Sequence, residues 1–167
     1  KRLFEETLTI IKKAWTEKFF NHQGEFYTYP APDFIWQHDM SPPNEDFVDL
    51  KTNKLKKIGV VPRPYQKPHP PIWQVVDSPS SIKRAAELGI NCIMWIPTVK
   101  ALKERFEIYK NAKSETEKRD VLMGEGICLV RDLFIADSME EAKELAGKQM
   151  VDYMRWVCHW RGLGSHM

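Results

Sequence analysis

The stretch "PHPPIWQVVDSPSSIKRAAELG" at residues 68–89 decides the fold. Its prolines lead into an apolar run at residues 72–76, which predicts a buried strand. Ser78 then suits the N-cap of a helix, and Pro79 suits the first helical position, where its missing N–H removes no hydrogen bond. Gly89 is typical of a helix end. The stretch therefore predicts a strand and a helix joined by a tight corner.

The same order repeats twice along the rest of the chain. A second strand is predicted at residues 90–96, followed by a helix from 99 to about 112, and a third strand at 126–135. Ser138 and Glu141 then form a capping box that starts a third helix. Alternating strands and helices predict an α/β fold with a parallel sheet covered by helices, either doubly wound or a barrel.

The number of strand and helix units is small for a complete barrel. An eight-fold barrel usually takes ~250 residues, whereas this chain has 167 and holds three units. We therefore expect one partial barrel domain over residues 1–167 that is part of something larger. Standing alone, it would leave unpaired sheet edges.

The chain before residue 68 is less regular. An amphipathic helix is predicted over residues 3–19, and "HQGEFYTY" at residues 22–29 suits a short hairpin turned at Gly24. Residues 30–68 are rich in proline and polar side chains, and predict a long irregular connection within the domain. Because this connection precedes a strand, we expect it at the amino-terminal face of the sheet, as an interface or a barrel plug rather than a lid.

Composition excludes several functional classes. The 25 basic and 23 acidic residues give a net charge of +2 and are spread along the chain, which argues against a nucleic-acid partner. No apolar run approaches the ~20 residues of a membrane helix, so we expect a cytoplasmic protein that does not bind membranes. Cys92, Cys128 and Cys158 suit reduced thiols, and no histidine or cysteine pair has the spacing of a metal site.

The corner after the first predicted strand is a candidate anion site. Ser78, Ser80 and Ser81 supply hydroxyls and backbone N–H groups at a helix N-terminus, where phosphate is the usual occupant. Asp77 opposes this interpretation, since a carboxylate repels phosphate unless it turns away. Helix capping by itself also explains every residue of the corner. The local sequence leaves both interpretations open.

Three segments together resemble a known family. They are "RLFEETLTIIKKAWTEKFFNHQGEFY" at residues 2–27, "PRPYQKPHPPIWQVVDSPSSIKRAAELG" at 62–89 and "LFIADSMEEAKELA" at 133–146. In this order, across nearly the whole chain, they resemble the bacterial luciferase-like flavin-dependent monooxygenases. The most specific part is the pattern P-x-P-x-Q-x-P-x-P-P-I-W at residues 62–73.

The resemblance implies a (β/α)8 TIM barrel, of which this chain covers roughly the fourth helix to the segment after the seventh strand. It implies FMN, reduced by a separate flavin reductase, and O2 as the oxidant of a small organic substrate. By the same resemblance, Asp77, Ser78, Ser80 and Ser81 hold the flavin phosphate, with Ser78 and Ser81 the best matches. A homo-oligomer is expected. Two alternatives stay open: an F420-dependent dehydrogenase or reductase on the same barrel, and a non-catalytic fragment that self-associates through its open edges.

Three further side chains have two interpretations each. Trp95 ends the second predicted strand and either lines the flavin ring or fills the barrel core. Arg131 either contacts a ligand or reaches solvent, and we favour solvent. The segment "DYMRWVCHWRGLG" at residues 152–164 suits a lid, with His159 as a candidate catalytic group near the substrate. We favour the alternative, an amphipathic helix with three inward side chains, Met154, Val157 and Trp160, because their spacing is helical.

Overall fold

A computed structural model describes residues 1–95 and 98–160 of the chain. The chain divides into two compact units, Lys1–Pro70 and Pro71–Met167, and each is described by itself. The predicted end of the second strand at Ile96 lies outside the described residues, as do residues 161–164 of the aromatic segment.

The first unit begins with one helix and a short hairpin. Helix α1 spans Arg2–Thr16, and strands β1 (His22–Gln23) and β2 (Thr28–Tyr29) pair antiparallel, as the sequence predicts. The predicted helix was too long at its end, because Glu17 already has extended backbone angles. Arg63 donates from Nη2 to the carbonyl of Thr16 at 2.9 Å, which satisfies one of the free carbonyls at the helix end.

A carboxylate on α1 holds the hairpin loop. Glu6 accepts hydrogen bonds from the backbone N–H groups of Glu25, Phe26 and Tyr27, at 3.1, 3.0 and 2.8 Å, and lies 3.0 Å from Nε2 of His22. Burial acts to raise the pKa of Glu6, but the hydrogen bonds from His22 and the loop amides outweigh it, so that pKa is lowered. The carboxylate therefore fixes the loop between β1 and β2 on the helix.

The long connection has the irregular structure that the sequence predicts. Within the described residues, 30–72 carry no regular helix or strand, and three isolated antiparallel bridges order this part of the unit. The bridges pair Phe20 with Ile58, Ile35 with Lys54, and Val48 with Leu55. Phe20 and Val48 are buried, so these bridges surround a small apolar centre.

The second unit repeats strand and helix three times. Its elements are, in chain order, β3 (Trp73–Val75), α2 (Pro79–Glu87), β4 (Asn91–Trp95), α3 (Val99–Glu117), β5 (Ile127–Val130), α4 (Met139–Ala142), a π-helical turn (Lys143–Gly147) and α5 (Lys148–Trp160). Strands β3, β4 and β5 form a parallel sheet in that order. The predicted alternation is confirmed. The second predicted helix was too short, since α3 continues five residues beyond residue 112.

The two faces of this sheet differ in burial. Cys92 and Met94 are fully buried on one side of β4. Paired residues of a parallel sheet point to the same side, and the register places Val75 opposite Ile93 on the other side. There Val75 is 60% exposed, and Trp73 and Val130 are exposed as well. On that side the apolar side chains of β3 and β5 are therefore exposed, whereas Trp95 of β4, on the same side, is half-buried.

The third predicted strand extended too far. Strand β5 ends at Val130, and Arg131 lies beyond it, exposed, with Nη1 donating to the carbonyl of Val130 at 3.0 Å. The apolar run at residues 133–135, which suggested a longer strand, is also exposed. Because Arg131 is not within a strand, the expected cost of burying its charge does not arise.

Charged side chains surround the amino-terminal approach to β5. Arg119 pairs with both oxygens of Glu125 and also with Glu117, and the nearly buried Lys113 lies 3.6 Å from Glu125. The Arg119 hydrogen bond lowers the pKa of Glu125 to about 2, against the opposing effect of burial. The cluster fixes the turn between α3 and β5.

None of the helices in the described parts of the chain combines the length and apolar character needed to cross a bilayer.

Candidate functional site

The corner between β3 and α2 has the conformation that its sequence predicts. Val76 is buried, Asp77 is exposed, and Ser78 is the N-cap with extended backbone angles, φ −89° and ψ 149°. Oγ of Ser78 accepts from the N–H of Ser81 at 3.2 Å, and Oγ of Ser81 accepts from the N–H of Ser78 at 3.2 Å. This is a reciprocal capping box in which serine takes the place usually held by glutamate or glutamine.

The three serine hydroxyls form one cluster. Oγ of Ser78 lies 3.1 Å from that of Ser80 and donates to that of Ser81 at 3.0 Å. Oγ of Ser81 in turn donates to the carbonyl of Ser78 at 2.8 Å. Ser78 and Ser81, the best-matched phosphate residues by sequence, are therefore already engaged in capping the helix.

Ser80 differs from its two neighbours. Its backbone N–H has no hydrogen-bond partner among the residues that the structure describes, and its side chain is exposed. A free N–H in the first turn of a helix points along the positive end of the helix dipole. Within the described residues, the corner thus presents one unused backbone donor at Ser80, whose hydroxyl contacts that of Ser78.

A cleft of about 430 Å³ opens beside this corner. Its walls come from the corner and from α3, and its lining residues are Asp77, Ser78, Pro79, Ala101, Glu104, Arg105 and Ile108. Arg105 was not a candidate from sequence, because nothing local distinguishes it from any other surface arginine on α3. The lining holds one cation against two carboxylates, so an anion here depends on hydroxyl and amide donors as well as on Arg105.

Trp95 belongs to a different cluster. It ends β4, is half-buried, and donates from Nε1 to Oδ2 of Asp132 at 3.3 Å. Its ring centroid lies 6.4 Å from that of Tyr153 on α5. Two stacked pairs follow along that helix: the ring centroids of Tyr153 and Trp156 are 6.4 Å apart, and those of Trp156 and Trp160 are 6.3 Å apart. Trp95 is not among the residues lining the serine cleft. The structure therefore does not bring Trp95 together with the serines there.

The aromatic segment is helical, with a different inward face from the predicted one. Val157 and Cys158 are buried and Met154 is half-buried, but Trp160 is 76% exposed. The prediction that Trp160 packs inward is wrong, because the inward face of α5 turns through Cys158 instead. His159 is exposed in the last turn of α5, and the structure brings it together with neither the serine cluster nor Arg105.

The cysteines behave as free thiols. Cys92 and Cys158 are buried and Cys128 is exposed, and burial raises the pKa of the Cys92 thiol to about 12. Within residues 1–95 and 98–160, no three histidine, cysteine or acidic side chains come together in a way that could hold a metal ion.

Comparison with known families matches residues 1–164 to the profile of the luciferase-like monooxygenases. The chain belongs to that family. A relative from Acinetobacter baylyi, the oxygenase component of a flavin-dependent trigonelline monooxygenase, is 26% identical over 148 residues, which are 89% of this chain and 33% of the relative. An uncharacterised protein of Sinorhizobium fredii is 27% identical over 112 residues, 66% of this chain and 31% of that protein.

Two solved structures share the fold. The oxygenating constituent of 3,6-diketocamphane monooxygenase from Pseudomonas putida, in complex with FMN, matches with a TM-score of 0.69 and 20% identity over 99% of this chain and 42% of that one. Monooxygenase RslO1 of Streptomyces bottropensis matches with a TM-score of 0.58 and 18% identity over 93% of this chain and 40% of that one. The chain thus spans about a third of the length of its curated relatives.

Proposed function

We propose that the protein to which this chain belongs is a two-component flavin-dependent monooxygenase. It uses FMN reduced by a separate reductase, together with O2, to oxidise a small organic substrate. The support is family membership, together with a relative named as the oxygenase component of a flavin-dependent monooxygenase and a fold neighbour solved with FMN.

The sheet of the second unit suits a segment of a (β/α)8 barrel. In such a barrel one face of every strand packs under helices and the other faces the barrel interior. Here Cys92 and Met94 are fully buried, while Val75 and Val130, on the opposite side by register, present apolar surface. This pattern supports a barrel segment with further strands completing the interior. That β3, β4 and β5 are the fifth, sixth and seventh strands is implied by the family resemblance.

The flavin phosphate is assigned to the corner at Ser78–Ser81. The observation that carries this assignment is a cleft at the carboxyl end of β3 that is lined by the N-cap Ser78 and by Arg105. Ser80, with its unused N–H, follows two residues later and is not itself among the lining residues. Ligands of parallel α/β folds bind at that end of the strands. Ser80 would donate its N–H and hydroxyl, Arg105 would supply the cation, and Ser78 and Ser81 would hold the loop in place by capping α2.

Bound reduced FMN would supply the electrons that activate O2. The described residues contribute binding and orientation: the capped α2 fixes the phosphate donors, and Trp95 at the end of β4 offers an aromatic wall held by Asp132. No side chain of this chain is assigned as a catalytic acid or base. His159 is exposed in the last turn of α5 and does not line the serine cleft.

The decisive variant is Ser80→Asp. An acidic residue in the first turn stabilises a helix, but its charge repels a phosphate bound at the same N-terminus. We expect this variant to fold at least as well as the wild type and to bind FMN at least tenfold more weakly. Riboflavin, which has the same rings without the phosphate, should bind both proteins alike.

Two matched variants separate the phosphate from general effects. Ser80→Ala removes only the hydroxyl and should weaken FMN binding less than Ser80→Asp does. Met139→Asp places the same charge in the first turn of α4, outside the serine cleft, and should leave FMN binding unchanged. Binding is measured by fluorescence titration for oxidised flavin and by anaerobic calorimetry for reduced flavin.

Two results would contradict the proposal. If Ser80→Asp weakens the binding of FMN and riboflavin equally, the flavin phosphate does not bind at this corner. If the protein binds F420 but binds neither oxidised nor reduced FMN, the monooxygenase assignment is wrong. A deazaflavin-dependent dehydrogenase or reductase would then be the better assignment.

A further inference from the structure

The first unit contains a second cleft, of about 450 Å³. Three aromatic side chains contribute to its wall: the ring centroids of Phe19 and Phe47 lie 5.3 Å apart, and those of Phe47 and Trp36 lie 5.2 Å apart in an edge-on arrangement. Leu55, Ile58, Val60 and Val61 add aliphatic surface. The lining is therefore almost entirely apolar, as in pockets that enclose small organic molecules.

Paired backbone holds this cleft in shape. The N–H of Ile58 donates to the carbonyl of Phe20 at 2.9 Å, and the N–H of Phe20 donates back at 2.9 Å. At Gly59, a Cβ would meet the carbonyl oxygen of Lys18 at 2.9 Å, so the chain there passes closer to the end of α1 than a larger residue permits. The cleft is thus built by backbone contacts rather than by loose loop ends.

Every charged residue in the lining is a cation. Lys18, Lys57 and Arg63 line the cleft, and no acidic residue does so among those that the structure describes. Arg63 donates to the main-chain carbonyl of Thr16, and Lys18 lies 3.7 Å from the exposed carboxylate of Asp46. The ammonium of Lys57 has no hydrogen-bond or ion-pair partner among the described residues. The rim therefore carries positive charge that the cleft itself does not neutralise.

We propose that this cleft binds a small organic anion, an aromatic ring system with one carboxylate. The ring would lie against Phe19, Trp36 and Phe47, where burial of apolar surface favours it. The carboxylate would face Lys57 at the rim. The proposal goes beyond the flavin function, because it uses only residues of the unit at 1–70, whereas the flavin assignment uses residues from Pro71 onward.

The test uses two probes with the same ring and opposite charge. Isothermal titration of the purified protein with 2-naphthoate should show saturable binding that weakens as salt rises, because salt screens the rim charges. 2-Naphthylmethylamine, a cation under the same conditions, should bind at least tenfold more weakly. Equal binding of the two probes, or no heat with 2-naphthoate up to millimolar concentration, would overturn the proposal.

Two pairs of variants locate the site. Lys57→Gln should weaken 2-naphthoate binding about two- to fivefold, as expected for loss of one exposed charge. Lys51→Gln, which changes an exposed lysine of the same connection outside the lining, should leave binding unchanged. Val61→Glu adds a negative charge at a residue that is 87% exposed and should abolish binding, while Leu50→Glu should not. Equal effects within either pair would refute the location.

Two further measurements isolate this proposal. Sedimentation velocity tests a second copy of the chain as the occupant: a wild-type dimer that Val61→Glu converts to monomer would overturn the small-anion assignment. FMN titration of Lys57→Gln should match the wild type. Failure of the flavin proposal and failure of this one are therefore seen in different variants.

Discussion

Gly126 precedes β5 at a point where there is room for no side chain. Its φ is +75°, and a Cβ there would lie 2.7 Å from Oδ1 of Asn91 and 2.8 Å from the hydroxyl of Tyr109. That tyrosine is 1% exposed and donates to the carbonyl of Ile90 at 3.0 Å. Oδ1 of the half-buried Asn91 accepts from the same hydroxyl at 3.4 Å, so the Cβ would intrude on one hydrogen-bonded cluster around the enclosed Tyr109 ring. Gly126→Ala should therefore break a buried hydrogen bond in addition to straining the backbone.

The magnitude follows from two contributions. A left-handed conformation costs an alanine roughly 1–2 kcal/mol relative to glycine. Leaving the buried hydroxyl or its carbonyl acceptor without a partner adds about 1–3 kcal/mol. Gly126→Ala should therefore lower the free energy of unfolding by about 2–5 kcal/mol. Gly89→Ala is the matched control, since Gly89 has φ +69° and a Cβ there meets nothing within 4 Å. It should lose only the backbone contribution.

Urea denaturation followed by far-UV circular dichroism measures both variants. A third protein, Gly126→Ala with Tyr109→Phe, tests the cause, because removing the hydroxyl relieves the contact. In that background the alanine should cost less than it does beside tyrosine, which appears as a coupling energy in the double-mutant cycle. If Gly126→Ala and Gly89→Ala destabilise equally, crowding at Tyr109 plays no part and the reasoning is wrong.

Two further predictions concern titratable groups. The folded-state pKa of Glu125 is about 2, below its ordinary 4.5, so its contribution to stability is complete above about pH 4.5 and is lost as pH falls toward 2. Glu125→Gln should therefore show a shallower loss of stability over that interval in acid titrations monitored by circular dichroism, while the exposed Glu115→Gln should follow the wild type. Of the three cysteines, only Cys128 is exposed. Reaction with 5,5′-dithiobis(2-nitrobenzoate) should modify one thiol per native chain and three in denaturant, and a second fast thiol in the native protein would contradict the burial of Cys92 and Cys158.

Local chemistry made the corner predictable. Ser78 and Pro79 mark a helix start through interactions within four residues, and the structure has the N-cap and first turn where the sequence indicates them. The strand before it and the capping box at Ser138 and Glu141 follow from equally local rules. In the latter, Oγ of Ser138 accepts from the N–H of Glu141 as expected, but the Glu141 carboxylate accepts from the N–H of Asp137.

Features set by distant contacts were not predictable. The apolar run at residues 133–135 has the composition of a strand, yet among the described residues β5 and its pairing with β4 end at Val130. Trp160 is spaced to face inward with Val157, but the actual packing of α5 buries Cys158 instead. Arg105 becomes a candidate phosphate-binding residue only because α3 lies beside the start of α2 and both line the same cleft. Each of these features depends on which helices and strands pack together. The local sequence around a residue does not specify those contacts.

The residue at the third position of the capping box of α2 affects two properties: the stability of the helix and the positive electric field at its N-terminus. At α4, Glu140 and Glu141 occupy the first turn and neutralise the positive end of the helix. At α2 the first turn has no acidic residue, and the third position of the box is Ser81. A glutamate there would add about 0.3–1 kcal/mol of favourable charge–dipole energy. With serine in its place the backbone is still capped, and the first turn adds no negative charge to that of Asp77 and Glu104, which already line the cleft.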